Sequence, residues 1–227
     1  MSGYETDEQQ WDAVKGWFNK NGSMISWVVI IAAVLFMSGR YYLHHNDVIA
    51  EQGSEHYFAM ISSQEKNDTK SMLSKANRLI DDYPKTPYAQ LAAFTIAKYA
   101  VEEKNYDEAE KQLKWVMNDS TDNDFKMLAR VRLIKTYYAK GDFEKALSLH
   151  NKDEADGWLT LMEEIKGDIL HSQSKLDEAV ESYEAALEAA PEEHLHGQLL
   201  TYKLKELGMS QDLIDQIEEK KAKVGSE

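Results

Sequence analysis

No cysteine occurs anywhere in the chain, so a disulfide, a thiolate metal site and a thiol nucleophile are all excluded. Proline is confined to Pro84, Pro87 and Pro191, and glycine to eleven positions. Long proline-free stretches favour helices over strand-and-turn folds. No GxxxxGK motif followed by serine or threonine is present, and no GxSxG or HExxH. A phosphate-cradling loop, a hydrolase elbow and a helical zinc site therefore have no sequence support. Positive charge is scarce too: 26 Lys and Arg stand against 40 Asp and Glu, a net charge of −14. The first 23 residues carry −2 and the part beyond Arg40 carries −13. Nucleic acid phosphates and anionic headgroups repel such a domain, so no nucleic acid partner is expected.

The chain does have one uninterrupted apolar run. Met24 to Met37 reads MISWVVIIAAVLFM, with Ser26 its only polar side chain. Continued through Arg40 to Leu43, it makes a helix of twenty residues. At about 1.5 Å per residue this spans about 30 Å, the thickness of a bilayer's hydrocarbon core. Trp27, Tyr41 and Tyr42 stand near its ends, where amphipathic rings prefer the headgroup region, and Arg40 can snorkel outward. A cleaved signal peptide needs a short basic lead and a small-residue cleavage site. Here the lead is 23 residues and acidic, and SGRYYLHHN comes directly after the run. The segment reads as an uncleaved signal anchor in a lipid bilayer. Lys15 and Lys20 precede it closely, whereas after Arg40 the next basic residue is Lys66. That asymmetry places the N-terminus in the cytoplasm and the C-terminal part across the membrane.

The stretch before the anchor has its own pattern. In TDEQQWDAVKGWFNKNG, Trp11, Val14 and Phe18 recur at helical spacing beside Trp17. Thr6 and Gln9 form a capping box, and Asn21-Gly22 offers a stop. The pattern predicts a short amphipathic helix at the membrane surface, with Trp11, Trp17 and Phe18 at the interface. A plain juxtamembrane helix without a partner is the simpler alternative.

Beyond Leu43 lie about 184 residues, enough to bury a core. Three segments align there: KNYDEAEKQL from Lys104, KGDFEKALSL from Lys140 and SKLDEAVESY from Ser174. Their alanines, Ala109, Ala146 and Ala179, are spaced by 37 and 33 residues, close to the tetratricopeptide period of about 34. Gly167, Leu170, Tyr183, Ala186 and Pro191 complete the third unit. Ile134 and Tyr137 belong to the second; Ala97, Ala100, Leu113 and Val116 to the first. Antiparallel helices approach closely only where small residues face each other. Ala97, Ala109, Ala146, Gly167, Ala179, Tyr183, Ala186 and Pro191 therefore read as packing positions, not as chemistry. Residues 45–82 predict one divergent helix pair, broken at Tyr83-Pro84 before a helix starting at Pro87, and Glu192 to Lys220 predict terminal helices. The expected fold is all-α: an N-terminal amphipathic helix, a single transmembrane helix and a tetratricopeptide-like solenoid of helical hairpins. The segments are 1–23, 24–43 and 44–227.

Residues that could carry chemistry are few. His194 and His196 are two apart and point to different faces of a helix, and His44-His45 lies beside the anchor. Asp119, Asp122 and Asp124, like Asp153 to Gly157, have no glycine at the turn position and no properly spaced glutamate of a calcium loop. No catalytic residue, cofactor or metal is assigned. Binding is the remaining option. The first helix of each tetratricopeptide unit lines a concave surface, and here those helices carry Tyr99, Arg130, Arg132 and Tyr138 as candidate anchors.

One family joins these features. YETDEQQWDAVKGWFNKNG, a single apolar helix, an Arg40-Tyr41-Tyr42 exit and then helical repeats resemble the ancillary subunit family of the bacterial SecYEG translocon. The resemblance covers nearly the whole chain, and the N-terminal stretch is its most specific part. It implies an inner-membrane protein with a cytoplasmic N-terminus and a periplasmic repeat domain. It also implies association with the translocon and with a membrane-anchored periplasmic chaperone of the peptidyl-prolyl isomerase type, and the passing of emerging chains to periplasmic chaperones. A tetratricopeptide adaptor or assembly factor for another cell-envelope complex is the alternative, and a concealed enzyme or metal protein the third.

Overall fold

The computed structural model describes residues 7–151, 157–191 and 195–224. Every regular element among them is a helix. Two units can be told apart, Met1–Glu55 and His56–Glu227. Helix α1, Asp7–Glu65, is 59 residues long and contributes to both.

Within the first unit the described residues form one helix with no core of its own. Trp27, Leu35 and Phe36 are 65%, 68% and 68% exposed. Apolar surface of that extent is unusual for a lone water-soluble helix. By length and composition this is one helix able to cross a membrane. The stop expected at Asn21-Gly22 is not there, and the short amphipathic helix is the first part of α1 rather than a separate element. Asn21 turns its side-chain amide back onto the Trp17 carbonyl at 3.0 Å, and Ser26 donates to the Gly22 carbonyl at 2.9 Å. A glycine inside a helix costs about 1 kcal/mol. Breaking the helix beside an apolar run would strand several backbone groups, which costs more. Thr6 of the expected capping box lies outside the described residues.

The second unit is an array of hairpins. The end of α1 pairs with α2 (Thr69–Asp82), and α3 (Pro87–Glu102) with α4 (Tyr106–Asp119). Then α5 (Asn123–Lys140) pairs with α6 (Phe143–Ser148), α7 (Leu159–Ser172) with α8 (Leu176–Ala189), and α9 (Leu195–Glu206) with α10 (Gln211–Val224). Helix starts obey local chemistry. Asp68, Thr86, Asn105, Asp122 and Asp142 each accept a backbone N–H in the first turn of the helix they precede, and Pro87 opens α3.

The turns of these five hairpins share one geometry. Asn67, Lys104, Gly141, Ser174 and Gly208 take φ of +56°, +60°, +83°, +61° and +91°. The next residue's N–H then reaches back to a carbonyl five residues earlier: Asp68 to Ser63, Asn105 to Ala100, Asp142 to Tyr137, Lys175 to Leu170 and Met209 to Leu204, at 2.7–3.1 Å. This is the left-handed helix cap that satisfies terminal carbonyls and reverses the chain.

Three apolar clusters hold the array. Met60, Met72, Leu79 and Ile96 are buried in the first hairpin and against α3. Phe94, Leu113, Ile134, Tyr137 and Met162 form the central core. Leu170, Tyr183, Leu187, Leu200 and Ile214 form the last. A polar tie joins α7, α8 and α9. The Lys203 ammonium donates to Glu164 Oε1 at 2.8 Å and Asp168 Oδ1 at 2.6 Å, and the Tyr183 hydroxyl donates to Asp168 Oδ1 at 2.8 Å. Burial works against the charge on Lys203, but the two carboxylates outweigh it and its pKa is raised. Burial beside Asp168 pushes the Tyr183 phenol well up.

Candidate partner-docking groove

Between α3 and α5 the hairpins leave a groove of about 330 Å³. On α3, Ala97, Lys98, Val101 and Glu102 fall at helical spacing along one side; on α5, Arg132, Lys135 and Thr136 do the same on the other. Leu113 of α4 completes the apolar floor with Ala97 and Val101. Ala97 and Leu113 are buried because they also pack the core beneath. Their small or compact outer surfaces leave the space open.

The rim is cationic. Arg132 keeps exposed surface, yet its guanidinium lies over the Phe94 ring, 4.5 Å from the centroid. Burial there pushes its pKa below the ordinary arginine value, and a guanidinium so shifted remains charged at neutral pH. Among the described residues no carboxylate pairs with Arg132 or Lys135. Lys98 and Glu102 approach to 3.9 Å with both side chains exposed, a pair that contributes little. Three cations thus surround one carboxylate in a chain of net charge −14.

A second cleft of about 190 Å³ adjoins the first and shares Lys98 and Glu102 with it. Gln64, Asn67, Thr69, Met72, Thr95 and Tyr99 line the rest.

Of the four anchors expected from sequence, Arg132 is on the rim of the groove and Tyr99, half-buried, lines the neighbouring cleft. Arg130 and Tyr138, also on α5, line neither. Tyr138 is 38% exposed and packs against Phe143, ring to ring at 5.9 Å. Sequence reasoning passed over Lys98 and Lys135. The available signal was their register: Lys98 follows Ala97 and Lys135 lies one helical turn after Arg132, so each falls on the groove side of its helix.

The other expected positions fall on three parts of the molecule. Trp11, Trp17, Phe18, Trp27, Arg40, Tyr41 and Tyr42 are all exposed on α1, with Lys15 over the Trp11 ring and Tyr41 stacked on His45. Ala97, Ala109, Ala146, Gly167, Ala179, Tyr183 and Ala186 are buried, whereas Pro191 is exposed just beyond α8. The preceding Ala190 is extended, as a residue before proline prefers. Asp122 caps α5, and Asp119 and Asp124 flank that turn. His194 and the stretch 152–156 lie outside the described residues. Among the described residues no three carboxylates or imidazoles gather as a metal site. Two buried carboxyl groups of α7 were not foreseen: Glu164, held by Lys203, and Glu163, fully enclosed with His150 Nε2 at 3.3 Å and Lys166 Nζ at 3.6 Å.

The hairpin array and its groove have counterparts among known proteins. Residues 15–209 match the family model described as a tetratricopeptide repeat-like domain. The chain is 29% identical over 201 residues to a protein of Aggregatibacter actinomycetemcomitans, covering 88% of this chain and 97% of that one. It is 29% identical over 212 residues to a protein of Neisseria gonorrhoeae, covering 91% and 100%. With a protein of Escherichia coli it shares 23% identity over 189 residues, covering 83% and 91%. Each of the three carries the name "Ancillary SecYEG translocon subunit". No solved structure matches the chain.

Proposed function

Because this chain belongs to the tetratricopeptide repeat-like domain family, we propose that it is a non-catalytic docking subunit tethered beside a SecYEG translocon. In this reading residues 1–23 are cytoplasmic, 24–43 span the inner membrane once, and 44–227 form a periplasmic repeat domain. The domain links emerging translocated chains to periplasmic chaperones, including a membrane-anchored one of the peptidyl-prolyl isomerase type. The observation that carries the reading is helix α1, which holds both an exposed apolar run of membrane-spanning length and the first half of the first hairpin. The names of the relatives support the choice of complex.

A tether matters energetically. Anchoring raises the effective concentration of the groove near a membrane complex to about the millimolar range, so weak contacts suffice. Protease added to spheroplasts should digest the repeat domain and spare residues 1–23. Deleting Met24 to Leu43 should release a soluble domain and abolish co-purification with the translocon. A domain protected in intact spheroplasts, or co-purification that survives the deletion, would refute the proposal.

A further inference from the structure

We propose that the groove between α3 and α5 is the seat for an acidic segment of a protein partner: a carboxylate meets Arg132 and Lys135, and a neighbouring apolar side chain fills the space over Ala97, Val101 and Leu113. This rests on the docking function proposed above and names the kind of partner that function requires.

Charge complementarity selects the occupant. The domain is acidic overall, so its long-range field repels acidic partners. Against that background the groove concentrates Lys98, Arg132 and Lys135 around the single carboxylate of Glu102. Arg132 and Lys135, which pair with no carboxylate among the described residues, are complementary to an incoming anion. Arg132 is prepared for this contact. Stacking over Phe94 restricts the guanidinium, so less freedom is lost when it grips a carboxylate with two parallel N–H groups. The partial removal of water above Phe94 strengthens that contact relative to an open surface. The apolar floor explains why the anion belongs to a polypeptide. A headgroup layer presents charge on a plane, whereas Ala97, Val101 and Leu113 lie below the rim and need a side chain to reach them. Glu102 sets a limit: beside Lys98 it opposes a second negative charge at that end.

The test uses full-length protein in neutral detergent micelles and two fluorescent ten-residue peptides with blocked ends. One alternates glutamate with leucine; the other replaces every glutamate by glutamine. Fluorescence anisotropy should show the glutamate peptide binding about tenfold tighter at low salt, with the gap narrowing as salt rises. Arg132→Gln should weaken the glutamate peptide about tenfold and Lys135→Gln about threefold. Glu102→Gln should tighten it about threefold, a gain that misfolding cannot produce. Equal affinity for the two peptides, or no change in either Arg132→Gln or Glu102→Gln, overturns the proposal. Displacement of the peptide by phosphatidylglycerol micelles, lost together with Arg132→Gln, overturns it in favour of a lipid headgroup. The docking function fails separately. Peptide binding that ignores charge but is abolished by Val101→Glu leaves docking intact and removes only the acidic preference. Protein that shows the preference but never co-purifies with the translocon removes the docking partner and keeps the groove's chemistry.

Discussion

Gly167 meets Tyr183 where α7 crosses α8, and the space between them is a single hydrogen wide. A Cβ at Gly167 would stand 2.5 Å from Tyr183 Cε1 and 2.6 Å from Cδ1. The ring cannot retreat easily, because its hydroxyl is tied to Asp168 and Lys203 covers its face at 5.2 Å. Overpacking of this kind costs about 1–3 kcal/mol, while alanine gains about 1 kcal/mol of helix propensity over glycine. Gly167→Ala should therefore destabilise the domain by up to about 2 kcal/mol, read as a lower urea midpoint with unchanged slope. The position was legible in the sequence, since a glycine twelve residues before Ala179 fits a close helix crossing. The identity of the facing ring was not legible, because it depends on the register of two helices. The three repeat alanines are each fully buried, and a periodic small residue is a signal a sequence can carry.

At the scale of an element, the hairpin turn is the unit that repeats. The residue five before each repeat alanine is Lys104, Gly141 or Ser174, and all three have positive φ. Only the glycine announces that conformation. A side chain in the left-handed region costs about 1–2 kcal/mol, so Lys104→Gly should stabilise the domain by about 1 kcal/mol. Gly141→Lys should cost a similar amount. Thermal or urea unfolding of the two variants checks both signs. Helix α6 shows the opposite limit of legibility. KGDFEKALSL predicts a full second helix, yet α6 has six residues. Its Ala146 is fully buried and Asp142 caps it, but no long amphipathic stretch continues beyond Leu149. His150 instead turns to the enclosed Glu163, so a polar contact joins this segment to α7 where a longer helix would have packed. The turn at Asn21-Gly22 failed for a related reason. An Asn-Gly pair stops a helix only when the downstream segment gains by leaving it, and an apolar run has nothing to gain.

Among the described residues of the repeat array, five hairpins are joined through three cores, each touching its neighbours. Such arrays are stabilised mainly by nearest-neighbour interfaces. Helices α9 and α10 close the last core, where Leu200, Leu204 and Ile214 are fully buried against Leu170, Tyr183 and Leu187. Truncation after Pro191 should therefore loosen α7 and α8 first. Hydrogen exchange should accelerate there by orders of magnitude more than in α3 and α4. Uniform acceleration across the domain would mean one cooperative unit instead of a chain of neighbours. The alanine period revealed three hairpins but not the first and last. Their equivalent positions hold Met72 and Leu213; the sequence shows helices there, and the shared turn geometry reveals them as hairpins of the same kind. The apolar run, the scarcity of proline and the spacing of small residues are local properties, and they determined the long apolar helix, the helical class and the repeat without any tertiary information. Which cations gather around the apolar groove depends on how α3 and α5 rotate about their axes as the hairpins stack. Tertiary packing alone decided that, by bringing Lys98, Arg132 and Lys135 to one groove and leaving Arg130 and Tyr138 outside its lining.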